Sequence, residues 1–548
     1  MHGQIKILID RKREIICKKG ISVNELIHIL GTEEDIIAAS INGDIVELSY
    51  VIEENSELEF IHIHDKVGGK IYRAGLQFVY IVALKELYGD KIDVRIKHSL
   101  DKAIYTTVNG KLTPKDVNAI KKKMQQIIDL DIEIKKLAIP KKKAIEYFEK
   151  NNEKEKVELY KQISNNYVTF YELLGFYNYF YYFLPYSTGI LKKFDLKFIK
   201  PNGIVLMYPK GKDNVIPPYH HYEKVLNIFH DYEEKMAKVG VSYASDINAL
   251  AINGKISEFI KINEMIQDDE ITKIVTDILS RSQVKVILVG GPSCSGKTTT
   301  SKKIALKVKE YGKNPIVISL DNYYKERVDT PKDENGNYDF ETIDAIDIKL
   351  FNNHLKRLLE YKTVKMPTFN FITGVKEYNT PEIKLDKNDI IIIEGLHTLN
   401  EELTKKISRN VKFKIYASPF TPLGMDRHNH ISSTDLRLLR RIVRDNSTRG
   451  YNAEETIGRW KLMRNSEEKY VFPYQSEGDA LINTALMYEL NALRTYVEPL
   501  LYSISTDSDN YEEAKRMINF IGNFFSIPDE AIPETSVLRE FIGNSYFE

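Results

Sequence analysis

An α/β protein is predicted by three observations, with a parallel sheet and helices on both its faces toward the C-terminus and smaller β-rich and mixed segments ahead of it. From residue 283 to about 505, apolar β-branched runs alternate with stretches of helical period, the order that builds parallel sheets. Within that stretch, the apolar run 284–289 leads through a glycine turn at 291–296 into a segment with Ile304, Ala305 and Val308 at helical spacing. The first 62 residues instead carry short strand-like runs around a single short helical segment.

The elements follow in order. Residues 4–9, 14–17 and 58–62 read as strands, 23–30 as a helix opened by Ser22, and Asn42-Gly43 as a turn. Residues 74–87 are predicted helical, 94–108 a strand, turn and strand, and 114–128 a charged helix with Pro114 at its start. The aromatic-rich run 176–186 suits a packed core, with base stacking as the alternative. Between 246 and 282, Ala249, Ile252, Ile256, Ile260, Ile271, Ile274 and Ile278 recur at three to four residues and predict a helical bridge. A second strand is expected at 315–320, a third, of buried type, at 390–393, and an arginine-rich helix at 435–445.

Composition narrows the function classes. Lys+Arg and Asp+Glu each number 78 in 548 residues, so no global charge argues for a polyanionic partner. Cys17 and Cys294 are the only cysteines, which excludes a disulfide framework and a cysteine-rich zinc module and points to a reducing, cytoplasmic location. Neither an apolar signal core after Met1 nor an uncharged apolar run of membrane-spanning length occurs, so no membrane association is expected.

The chemistry starts at Gly291-Pro292-Ser293-Cys294-Ser295-Gly296-Lys297-Thr298, which satisfies G-x-x-x-x-G-K-[ST] between a strand and a helix and predicts a P-loop NTPase fold. The glycines let backbone N–H groups wrap a phosphate, and the helix N-terminus adds partial positive charge. Gly291, Ser293, Ser295, Gly296, Lys297, Thr298 and Thr299 are the expected nucleotide contacts, with Lys297 on the β and γ phosphates and the Thr298 hydroxyl on Mg2+. Asp321 follows the 315–320 strand at the carboxyl edge of the sheet, where it serves as a base toward an attacking hydroxyl or as a helix cap. Glu394 ends the 390–393 strand and is placed to bind Mg2+. Arg437, Arg441 and Arg444 share a helix face beside Arg440, a stripe suited to phosphate oxygens or, alternatively, a solvated surface. Cys294, beside a helix N-terminus and Lys297, is expected to be a reactive thiolate unless it is buried.

Those segments, with Leu-Asp-Asn-Tyr-Tyr at 320–324, Glu-Gly-Leu-His at 394–397 and Arg-Arg-Ile-Val-Arg-Asp at 440–445 followed by Arg449-Gly450, resemble the uridine kinase and phosphoribulokinase family across 283–510. The resemblance implies ATP and Mg2+ as cofactors and transfer of the γ-phosphate to a hydroxyl of a small metabolite, most simply a nucleoside. It implies Asp321 as catalytic base, Lys297, Arg441 and Arg444 as catalytic cations, and Tyr324, Glu341, Phe369, Gly374, Arg444 and Arg449 around the acceptor. Phe369 and Gly374 stand where the family reads a pyrimidine with Tyr and His, Tyr451 replaces a lid arginine, and Arg459-Trp460 departs from the expected helix. A kinase of a non-nucleoside sugar or polyol is therefore one alternative; an RNA- or tRNA-binding NTPase switch is another.

Residues 1–62 are similar to the β-grasp TGS module of threonyl-tRNA synthetases, and 63–225 to the α+β editing-type domain of the same enzymes. In that family a His-x-x-x-His pair and a Cys-x-Gly-Pro-His segment make the site, whereas this chain has Arg73, Gln77 and Tyr182-Phe183-Leu184-Pro185-Tyr186. The expected organisation is completed by a helical bridge at 226–282 and a C-terminal helix and tail at 511–548. RNA or tRNA contact through 1–225 and assembly into a homo-oligomer are the expected partnerships.

Overall fold

The computed structural model describes residues 3–31, 35–100, 103–211, 213–332, 336, 338–371 and 373–547. Toward the C-terminus, five parallel strands lie in the order Asn314–Ser319, Asp389–Glu394, Val286–Gly290, Lys412–Ser418, Ala480–Asn483. The period of two splits their side chains between two cores. Val286, Leu288, Ile391 and Ile393 pack with Phe351, Leu355 and Leu358 of the helix Ile348–Leu359. Ile287, Val289, Ile390 and Ile392 pack on the opposite face against the helices Ile256–Ser280 and Lys297–Glu310. Burial on both faces is why these strands read as continuous apolar runs.

Register then sets the site. Glu394 lies opposite both Val289 and Ser319, so the phosphate loop, the Asp321 turn and Glu394 all leave the same edge of the sheet.

The N-terminal segment is a five-stranded mixed sheet ordered Arg13–Lys18, Gln4–Ile9, Ser56–His62, Ile36–Ile41, Asp44–Val46, in which Gln4–Ile9 and Ser56–His62 run parallel. Its helix Val23–Leu30 opens with a capping box between Ser22 and Glu25. The following segment holds the antiparallel pair Val94–Leu100 and Ala103–Val108 in a four-stranded sheet, with the helix Pro114–Asp129. In the 176–186 run, Tyr179 is buried against Phe148 and Tyr160, the core role.

One boundary differs from expectation. The helix predicted at 74–87 spans Lys66–Tyr88. Gly68 and Gly69 disguise its first turns, because glycine disfavours helix. Packing demands it: a Cβ on Gly68 would sit 1.9 Å from the His62 carbonyl oxygen.

The bridge consists of Glu223–Lys238, Ala244–Ile252 and Ile256–Ser280. After the helix Tyr511–Ile521 the chain returns to the phosphate loop, where Val537, Leu538 and Phe541 are buried in one cluster with Leu438, Ile442 and Val497. Among the described residues, no helix is long and apolar enough to cross a membrane.

Candidate active site

The phosphate loop has the geometry its sequence requires. Gly291 has φ +155°, and a Cβ there would lie 2.0 Å from the Ala417 carbonyl oxygen. Gly296 adopts φ +79° as the N-cap of the helix Lys297–Glu310. The Lys297 ammonium donates to the Pro292 carbonyl at 2.8 Å, folded back on the loop it serves. Ser295 is fully buried, and its hydroxyl has no hydrogen-bond partner among the described residues. A buried loop hydroxyl without a partner fits a bound anion.

Beside the loop stand three carboxylates. Glu394 accepts from the Ser319 hydroxyl at 2.7 Å and from the Thr298 hydroxyl at 3.4 Å. Burial, then the neighbouring Asp321, lifts Glu394 to about 7, against the pull of Lys297. Burial likewise lifts Glu341 to about 7 against Arg441, and raises Asp321 against Lys297, Arg449 and Arg444. Thr298 and Glu394 therefore present adjoining hard oxygen donors, the set that suits Mg2+.

Tyr324 is buried between these carboxylates and an aromatic group. Its ring centroid lies 5.9 Å from Phe340, 5.8 Å from Phe369 and 6.2 Å from Phe371. Phe369 is buried under this group, and its N–H donates to Asn322 at 3.3 Å. Gly374, expected around the acceptor in place of a His, is not bordered by open space. It has φ +74°, and a Cβ there would fall 2.8 Å from Arg327 Cβ. Arg327 fills that space, with its N–H bonded to the Gly374 carbonyl and its guanidinium to the Phe371 carbonyl.

The arginine helix Ser433–Arg444 divides its work. Arg437 and Arg440 do not face a phosphate, contrary to the stripe seen in the sequence. Arg437 is 2% exposed and grips Glu467 with a 2.7 Å bond from Nη2, while Nη1 donates to the Ser293 carbonyl at 3.0 Å. Arg440, fully buried, binds Glu489 and donates to the Cys294 and Thr484 carbonyls. Both side chains thus brace the phosphate loop from behind. Arg441, Arg444 and Arg449 converge on Asp445 at 3.1, 2.6 and 3.7 Å. Arg441 also donates to the Ser293 hydroxyl at 3.2 Å.

Two expected loop contacts are already engaged. The Ser293 N–H donates to Glu467, and the Thr299 N–H and hydroxyl both donate to Glu540. The Cys294 thiol is not solvent-facing as a reactive thiolate would be: its side chain is buried in the cluster that holds Leu438, Leu439 and Val537. Glu467, Glu489, Glu540 and Arg327 were not singled out from the sequence. Only the two arginines on an otherwise apolar helix face hinted that distant carboxylates must answer them.

The model of the Phosphoribulokinase / Uridine kinase family matches residues 286–489. A uridine kinase of Borrelia turicatae is 33% identical over 226 residues, covering 39% of this chain and 95% of its own. Another uridine kinase, from Bacillus pumilus, is 28% identical over 205 residues, 37% of this chain and 87% of its own. A structure described as a possible uridine kinase from Bacillus stearothermophilus has 23% identity and a TM-score of 0.23, covering 27% of this chain and 79% of its own. A phosphate loop, carboxylates at the strand ends and an arginine helix thus coincide with a match spanning nearly all of a relative, and the chain belongs, through its kinase domain, to the phosphoribulokinase and uridine kinase family of phosphotransferases.

Proposed function

We propose that this protein transfers the γ-phosphate of ATP to a hydroxyl group of a nucleoside, with Mg2+. The observation that carries this reading is the convergence of Lys297, the Thr298–Glu394 contact and Asp321 at one sheet edge, with the Lys297 charge acting on the Asp321 carboxyl. Lys297 exchanges its Pro292 carbonyl for phosphate oxygens. Asp321 takes the proton as the acceptor O–H bond breaks, the new O–P bond forms, and the bond from the γ-phosphorus to the ADP oxygen breaks. Burial raises the Asp321 pKa and so strengthens it as a base. Mg2+, held by the Thr298 hydroxyl and Glu394, neutralises phosphate charge when bound. Arg441, Arg444 and Arg449 supply the cations that meet charge on the transferring group.

Aromatic surface supports a nucleoside as acceptor. Phe371 is 59% exposed and Tyr338 42% exposed, both joined through Phe340 and Tyr324 to the Asp321 pocket. Flat rings with free faces suit a heterocyclic base. With Phe369 for Tyr, the base is held by stacking more than by hydrogen bonds, and pyrimidine selectivity is weak. The test measures ADP release from ATP across nucleosides, sugars and polyols, with Asp321→Asn as control. Turnover with nucleosides and its loss in the control are expected; turnover only with sugars or polyols, or none at all, refutes the assignment.

We also assign residues 1–62 to the TGS type and 63–225 to a synthetase-like domain that has lost its hydrolytic site. The parallel pairing of Gln4–Ile9 with Ser56–His62 around one helix supports the first. For the second, Arg73 lies with its guanidinium 5.8 Å from the Tyr182 ring and Gln77 is buried, where zinc would need imidazole, thiolate or carboxylate. Salt-dependent tRNA binding by the full chain tests an RNA role for this half.

A further inference from the structure

The C-terminal strap ends on the phosphate loop, and one of its carboxylates sits where an anion belongs. Lys297, Thr298 and Thr299 form the first turn of the P-loop helix, and the Thr300 N–H is the first to bond back within the helix, to Gly296 at 3.0 Å. The Thr299 N–H is therefore one of the orphan donors of a helix N-terminus. Glu540 Oε2 accepts from that N–H at 3.0 Å and from the Thr299 hydroxyl at 2.8 Å. The rest of the strap holds this carboxylate in place. Val537 packs so closely on Gly296 that a Cβ there would meet its Cγ1 at 2.4 Å, and Phe541 lies 4.9 Å from the Arg440 guanidinium. Beyond Glu540, Lys302 donates to the Phe547 carbonyl at 2.8 Å. Arg539 anchors the near side through Asp529 at 2.7 Å and the Ile532 carbonyl at 2.9 Å.

We propose that Glu540 is an internal competitor of the phosphoryl donor: its carboxylate occupies the Thr299 donors that a donor phosphate needs, and donor binding releases the strap around residues 536–547. The inference rests on the kinase reading above. Two anions cannot share one pair of donors, because each draws its stabilisation from the same N–H, the same hydroxyl and the same helix terminus. The Glu540 charge also reaches the Glu394 carboxyl and the Arg444 guanidinium, so the strap lies within the field of the reacting groups. A carboxylate serving only as a helix cap would stabilise the fold without opposing the donor.

The experiment compares MgATP binding by calorimetry in the full-length protein and in Glu540→Gln, together with hydrogen exchange of residues 536–547 with and without MgATP. Removing the charge is expected to tighten MgATP binding by about tenfold, the equivalent of one charged hydrogen bond. The KM for ATP falls in step, and MgATP speeds exchange of the strap in the wild type. Unchanged or weaker binding by folded Glu540→Gln, or a strap whose exchange ignores MgATP, overturns the proposal and leaves the kinase reading standing. Failure of every protein to bind MgATP overturns the kinase reading itself. Should Glu540→Gln not fold, the exchange measurement on the wild type decides alone.

Discussion

Glu467 is the residue on which the phosphate loop leans most heavily, and Glu467→Gln removes its charge at nearly constant shape. The carboxylate is 0% exposed and accepts from Arg437 at 2.7 Å, Arg464 at 3.0 Å and the Ser293 N–H at 2.8 Å. Burial alone would raise its pKa, yet Arg437, Arg464 and the Ser293 N–H outweigh that and hold it below the ordinary value. Loss of the charge strands the buried Arg437, and breaking a buried pair from one side costs about 3–5 kcal/mol. That is a fifth or more of the ~5–15 kcal/mol that holds a typical domain folded. Trp460 reports the event: it is the single tryptophan, buried, with its ring 5.4 Å from the Arg437 guanidinium. Urea unfolding followed by tryptophan fluorescence should show the early midpoint, and MgATP affinity should fall as the stranded Arg437 loosens its hold on the Ser293 carbonyl. Glu468→Gln is the control, since its side chain is 60% exposed and its substitution should cost less than about 0.5 kcal/mol. A Glu467→Gln loss below about 1 kcal/mol, or equal to that of Glu468→Gln, would refute the claim that this pair braces the loop.

Lys297→Ala should abolish turnover and leave the melting temperature in place, because its ammonium binds a loop carbonyl and supports no core; kinetics beside thermal melting check it. Asp321→Asn should slow transfer by about 10² to 10⁴ with ATP affinity near normal, read from single-turnover rates and calorimetry. The metal-free protein should lose stability as pH rises through the window between the ordinary 4.5 of Glu394 and its folded value of about 7, since the folded state favours the protonated acid. The Glu394 share of that loss is about 3 kcal/mol at 1.36 kcal/mol per unit, and Glu394→Gln should reduce the slope of the melting-temperature profile across the window, leaving the part that Glu341, also lifted to about 7, contributes. Gly374→His should destabilise its hairpin by about 1–2 kcal/mol through the left-handed backbone and clash with Arg327, without creating pyrimidine selectivity; melting and the ratio of kcat/KM for uridine over adenosine test both halves.

What the sequence made legible follows from local physics. The phosphate loop was readable because fixed glycines, a lysine and a hydroxyl must stand at set spacing between a strand and a helix. Asp321 and Glu394 were readable because one follows and the other ends a strand of apolar β-branched residues, and a parallel sheet delivers all its strand ends to one edge. The carboxylates that answer Arg437, Arg440 and Thr299 were not, because their partners lie 30, 49 and 241 residues away. Nothing local distinguishes Glu467 from its exposed neighbour Glu468. The surroundings of Gly374 were hidden for the opposite reason: the missing side chain was visible, while the Arg327 that fills its place comes from a turn 47 residues earlier in the chain.

The first half of the chain shapes the kinase site through the segment just ahead of the arginine helix. Asp426 accepts from the Tyr179 hydroxyl and also caps the turn through the N–H groups of His428 and Asn429. Arg427 joins Glu155 at 2.6 Å and Asp93 at 2.8 Å, and the buried Lys156 meets His428 at 3.0 Å. Asp435, in the first turn of the arginine helix, binds Arg516 of the C-terminal helix, whose guanidinium also lies over Tyr182. Residues 93–182 therefore fix where that helix begins and how it is rotated. Because Arg437 and Arg440 must reach the Ser293 and Cys294 carbonyls, a small rotation of this helix would take both off the phosphate loop. Through these contacts the first half of the chain holds the register of the helix on which the phosphate loop and its cations both depend.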